Sequence, residues 1–171
     1  MIRRNRTLVL MRHAKAESLG AEDHLRGLTR RGRRDAAEAG VWLASKEIVP
    51  DAAFVSTAAR AVETWEAVAS TSRSTATARY DESLYTASPE SALEVLSTAD
   101  PEAQVLIFIG HNPTAAYLAH VLSDSSPDPV AFRAMSQGYP SAAMTVLDVP
   151  VEWAELAEGT ARVTDFHVGH G

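Results

Sequence analysis

Residues 7–18 read T-L-V-L-M-R-H-A-K-A-E-S: an unbroken apolar run, Leu8-Val9-Leu10-Met11, stops on Arg12-His13 and then turns polar. A short apolar run without alternation is what a strand shows when both of its faces are covered, as in a sheet held between helices. A guanidinium and an imidazole ending such a strand are costly to bury unless something pairs with them. Comparable runs at Ala52–Val55, Val105–Ile109 and Ala142–Val149 are separated by stretches that suit helices. One helix is predicted from an N-cap at Thr29 to about Glu47, with Ala36, Gly40, Leu43, Ala44 and Ile48 near one face. Others are predicted over Ala58–Ala69, Pro89–Ser97 and Pro113–Leu122, the last placing Ala115, Leu118, Ala119 and Leu122 at i, i+3, i+4 and i+7. Strands alternating with helices point to an α/β sandwich with a mostly parallel central sheet. The final third breaks the alternation and reads as two strands joined by a polar turn around Glu158-Gly159, while "STSRSTATA" and "SDSSPDP" read as surface loops.

A chain of 171 residues, 46% hydrophobic, is long enough for one well-buried domain spanning 1–171, and we expect flexible ends at 1–6 and 168–171. No apolar run approaches the length of a membrane span. The N-terminal charges are followed by only about four apolar residues, short of the ~7 to 15 of a signal peptide, so the cytoplasm is the expected location. The absence of cysteine removes disulfides, thiolate catalysis and thiolate metal sites. A net charge of -6 argues against generic nucleic-acid binding. Ten of the sixteen basic residues nevertheless precede Asp35, an asymmetry that can steer an anionic ligand to that end.

In open α/β sheets ligands collect beyond the carboxyl ends of the strands, so the residues that follow each run matter most. Arg12-His13 follows the first, Arg60 lies in the first turn of the helix after the second, and Gly110-His111-Asn112-Pro113 follows the third. Each piece alone has an ordinary reading, a hydrogen-bonded structural histidine or a surface arginine. Together they would bring cations to one rim, where they repel one another unless an anion sits between them. Phosphate suits such a rim, because its oxygens match the fork of arginine and the N–H of imidazole. Phosphate-loop and dinucleotide glycine patterns are absent from the sequence, as are the serine nucleophile elbow and the H-E-x-x-H metal pattern. His167 and His170 are three apart near the C-terminus, where a flexible tail is a simpler reading than a metal pair.

The ordered set "LVLMRHAKAE", "LTRRG", "VSTAARAVET", "DESLY" and "IFIGHNP" resembles the histidine phosphatase, or phosphoglycerate mutase-like, superfamily, and within it the small SixA-type phosphohistidine phosphatases. The resemblance spans about Thr7 to Val149. It implies a three-layer α/β/α sandwich and a phosphatase that works through a phosphohistidine intermediate without metal or cofactor. Carried over by motif, His13 is the nucleophile, Arg12, Arg60 and His111 form the phosphate pocket, and Glu82 in "DESLY" is a candidate general acid. Ala14 departs from the commonest pattern, which has glycine there, and a methyl is tolerable only if the backbone keeps a negative φ. Between Val68 and Leu93 the chain has no room for the helical insertions of larger relatives, so an open site is expected. That favours a phosphorylated protein side chain over a mutase intermediate, with a small phosphorylated metabolite as the alternative substrate and a non-catalytic phosphate-binding module as the alternative class. Oligomeric state is not legible.

Overall fold

The computed structural model of the chain describes residues 5–19 and 22–171. Residues 1–4 of the N-terminal end expected to be flexible lie outside the described residues. In chain order the elements are β1 (Arg6–Arg12), α1 (Arg30–Ser45), β2 (Ala52–Ser56), α2 (Ala59–Ser72), β3 (Ala78–Asp81), α3 (Pro89–Leu96), β4 (Val105–Gly110), α4 (Thr114–Leu122), α5 (Pro129–Gln137), β5 (Ala143–Val149) and β6 (Arg162–Val168). Short 3-10 turns cover Asp23–Leu25, Glu82–Leu84 and Trp153–Glu155.

The strands form one sheet in the order β3-β2-β4-β1-β5-β6. Pairings from β3 through to β1 are parallel, whereas β1 with β5 and β5 with β6 are antiparallel. Only β5 therefore runs against the others. Residues Leu8 to Met11 are wholly buried, which explains why β1 does not alternate. Val9, Met11, Val55, Ile107 and Ile109 pack with Ala36, Leu43, Trp65 and Val68 of α1 and α2. Leu8, Leu10, Leu106 and Phe108 pack on the opposite face with Leu96, Leu118, Met135 and Trp153. The result is the three-layer α/β/α arrangement. No helix among the described residues is long and apolar enough to cross a membrane.

Two elements lie where the sequence predicts neither strand nor helix. β3 is a four-residue edge strand whose middle two residues are exposed and whose ends are partly covered, so its sequence carries no apolar run. α5 begins directly after "SDSSPD", and its core contribution is the short stripe Ala131 and Met135. Its start was nonetheless marked: Asp128 accepts from the Ala131 N–H at 2.8 Å, and Pro129 occupies the first helical turn.

The "LTRRG" segment fastens α1 to the loop after β1. Thr29 caps the helix by accepting from the Gly32 N–H at 2.9 Å. Its own N–H and hydroxyl donate to the carbonyl of Lys15 at 2.9 and 3.2 Å. A β-carbon at Gly32 would lie 2.1 Å from that same carbonyl oxygen. Glycine is thus required by close backbone approach, two residues beyond His13. Among described non-glycine residues, positive φ belongs to Glu47, Arg73 and Ala142. Ala14 therefore meets the condition its methyl imposes, and that methyl is buried in the α1–α2 core. Replacing Gly32 with Ala must push the Lys15 carbonyl aside, and we expect a loss of about 1–3 kcal/mol in denaturant unfolding. An unchanged midpoint would contradict this packing.

Candidate active site

Because β2, β4 and β1 are adjacent and parallel, their carboxyl ends reach one rim together. Arg12 pairs with Gly110 and Val55 with Ile109, so residues 12–13, 56 and 110–111 stand in a row. The His13 N–H donates to the Gly110 carbonyl at 2.9 Å, and the His13 carbonyl accepts from the Ala142 N–H at 3.1 Å. Arg60, in the first turn of α2, is 6% exposed and points into the same cleft. The cleft measures about 560 Å³, and Arg12, His13, Arg60 and His111 all line it. The two imidazole centroids are 5.2 Å apart.

The His13 Nδ1–H donates to the Ala14 carbonyl at 2.7 Å. A carbonyl can only accept, so the neutral ring carries its proton on Nδ1 and leaves a lone pair on Nε2. Burial, reinforced by the charges of Arg60, Arg12 and Arg26, pushes the His13 pKa down to about 4. Burial with His13 and Arg60 as neighbours likewise brings His111 to about 4. Both rings are therefore neutral at pH 7. His111 Nε2 lies 2.8 Å from the buried hydroxyl of Ser56, which also accepts from the Ala58 N–H at 3.3 Å.

Arg12 Nη1 donates to the Tyr139 carbonyl at 3.0 Å, and Asn112 Nδ2 donates to the same oxygen at 2.9 Å. Tyr139 is itself anchored in the core, its hydroxyl donating to the Leu10 carbonyl at 2.7 Å. The buried Nε of Arg12 has no acceptor among the described residues. Arg60 donates to the Asp23 carbonyl at 2.7 Å and to its carboxylate at 3.1 Å. Tyr85 hydroxyl and Arg26 also donate to the Asp23 carboxylate. These donors, Tyr85 first and Arg26 next, hold Asp23 well below the usual carboxylate range. Among the described lining residues, Arg12, Lys15, Arg26 and Arg60 face the single carboxylate of Asp23.

Glu82 does not join this group. It is exposed in its 3-10 turn and is not among the lining residues; Tyr85, three residues on, lines the cleft instead. Sequence reading also missed Ser56, Asp23, Tyr85 and Ser141. Ser56 ends the run "AAFVS" and was within reach of the strand-end rule. Ser141 was not, because it precedes β5, whose reversed direction brings its start, not its end, to the rim.

Known proteins share this sequence and fold. The sequence model of the histidine phosphatase superfamily (branch 1) matches residues 8–85. The uncharacterized protein Rv1276c of Mycobacterium tuberculosis is 39% identical over 160 residues, covering 92% of this chain and 99% of its own. Among solved structures, one from Nakamurella multipartitia, provisionally described as the phosphohistidine phosphatase SixA, has a TM-score of 0.86 at 31% identity over 96% of each chain. A second, from Agrobacterium tumefaciens and with the same provisional description, gives 0.77 at 28% identity, covering 95% of this chain and 97% of that one. The chain belongs to the histidine phosphatase superfamily, in its SixA-like branch, and is a phosphatase.

Proposed function

We propose that the cleft hydrolyses protein phosphohistidine, with His13 as nucleophile and Arg12, Arg60 and His111 gripping the phosphoryl oxygens. One observation carries the reading: a neutral imidazole whose Nδ1 proton is tied to the Ala14 carbonyl keeps a free Nε2 lone pair in a cleft dominated by guanidiniums. Attack forms the Nε2–P bond and breaks the bond from phosphorus to the substrate imidazole, which takes a proton from solvent water as it leaves. Water then attacks phosphorus, the Nε2–P bond breaks, and inorganic phosphate departs with His13 restored. The fixed guanidiniums of Arg12 and Arg60 stabilise charge spread over the transferring group. A Ser56 hydroxyl that gives its proton to His111 Nε2 leaves the proton of that ring on Nδ1, available to a phosphoryl oxygen.

The choice of substrate rests on acid strength. Asp23 is ionised and has no proton to lend, Tyr85 gives its proton to Asp23, and Glu82 stands off the cleft. Weak assistance of this kind suits a leaving imidazole better than an alkoxide. A second reading, a small metabolite carrying phosphate and another anionic group, is supported by Lys15 and Arg26 on the rim.

His13→Ala is expected to lower turnover of p-nitrophenyl phosphate by several orders of magnitude and to leave no acid-labile phosphate on the protein. Retained turnover rejects the mechanism. Arg60→Ala should cost about 10³-fold or more in kcat. A phosphohistidine protein should exceed sugar phosphates in kcat/KM, and the reverse ranking assigns the site to small metabolites. The pKa directions give a further check. Burial and cations disfavour imidazolium, so protonation is displaced below the ordinary 6.5, and NMR should find His13 and His111 neutral until the pH nears about 4, with the His13 proton on Nδ1. Midpoints near 6.5, or the opposite tautomer at His13, contradict the nucleophile's assigned state.

A further inference from the structure

Two histidines outside the cleft share one carboxylate. β6 runs in the same direction as β1 and delivers His167 against α1, where Asp35, Glu38 and Trp42 follow one another at i, i+3 and i+7. The C-terminal residues lie along that face: the Gly169 N–H donates to the Ala142 carbonyl at 3.0 Å, His170 N–H to Glu38 Oε2 at 2.9 Å, and Gly171 N–H to Asp35 Oδ1 at 2.9 Å. His167 Nε2 stands 2.9 Å from each Glu38 oxygen, and His170 Nδ1 lies 3.8 Å from Oε2. One ligand atom from each of the three falls within 4.8 Å of the others.

We propose that Glu38, His167 and His170 form a surface site for an imidazole-preferring divalent transition ion such as Zn²⁺, at the seam of α1 and the end of β6. Bonds of about 2.0–2.2 Å in tetrahedral geometry put ligand atoms about 3.3 Å apart, a spacing these three reach by small side-chain rotations. The half of the site that must be rigid is rigid. The His167 ring stacks on Trp42, with centroids 4.6 Å apart and planes 7° from parallel. Glu38 is oriented by the His170 N–H, the kind of outer hydrogen bond that aligns a metal-binding carboxylate. The His170 Nδ1–H now donates to the Val168 carbonyl at 2.9 Å; with its side chain 80% exposed, the ring has room to leave that bond and turn its lone pair to the metal, and water takes the fourth position. Two imidazoles with one carboxylate select zinc, copper or nickel over magnesium and calcium, which prefer oxygen donors. The site is two strands from β1, about 10 Å across the sheet, and none of its residues lines the cleft. Loading it therefore places no ligand in the cleft.

Titrating metal-free protein with Zn²⁺ while following tryptophan fluorescence tests the proposal, since Trp42 touches a ligand whereas Trp65 and Trp153 are buried elsewhere. We expect a saturable one-to-one response and a rise in Tm. His170→Ala, at an exposed position that folding does not need, should weaken the response about tenfold or more, and His167→Ala should eliminate it. His111→Ala should leave it unchanged, which separates this site from the imidazole pair in the cleft. No saturable response, an equal response in the His167 and His170 variants, or a response lost in His111→Ala overturns the assignment.

Discussion

The pairing of Arg12 with Gly110 is the contact on which the cleft depends. It brings the ends of β1 and β4 level and lets the His13 N–H reach the Gly110 carbonyl. Side chains alternate across a strand, so a slip of one residue would move each of them to the other face and take Arg12 and His13 out of line with Gly110 and His111. A slip would exchange Leu8 and Leu10 of one core with Val9 and Met11 of the other and misfit both, which opposes it. The apolar run that opens the chain thus sets the coordinates of the polar pair that follows it. Gly32 and Thr29 complete the fixing from the far side by pinning the Lys15 carbonyl to α1.

Charge inside the cleft is arranged in two tiers. Burial lowers the Arg12 pKa from its ordinary value, yet a guanidinium keeps its proton in a protein. The two imidazoles give up their protons instead, and that is what turns His13 from one more cation into an electron-pair donor. Asp23 carries the compensating charge, and through Arg60 and Tyr85 it ties the loop after β1 to α2 and to the turn after β3. A carboxylate so occupied serves positioning and not proton delivery.

Much of this was legible before any coordinates. Continuous apolar runs marked the covered strands, polar residues at their ends marked the rim, and Thr29 marked the start of α1. What escaped did so for physical reasons. Tyr139 and Ser141 reach the site from the start of β5, and a rule about strand ends is blind to a strand running backward. Asp23 sits in a 3-10 turn with no periodicity to announce it. "DESLY" was recognisable as a segment facing the site, yet the three-residue turn carries Tyr85 inward and leaves Glu82 in solvent. β3 and α5 were missed because each buries too little apolar surface to write a pattern into the sequence.

The most direct test of the central claim is a crystal structure of the protein with vanadate, a five-coordinate mimic of the transferring phosphoryl group. The account predicts vanadium bonded to His13 Nε2, with equatorial oxygens held by Arg12, Arg60 and His111. Vanadate seated elsewhere, or held in the cleft with the His13 Nε2 turned away, would contradict it.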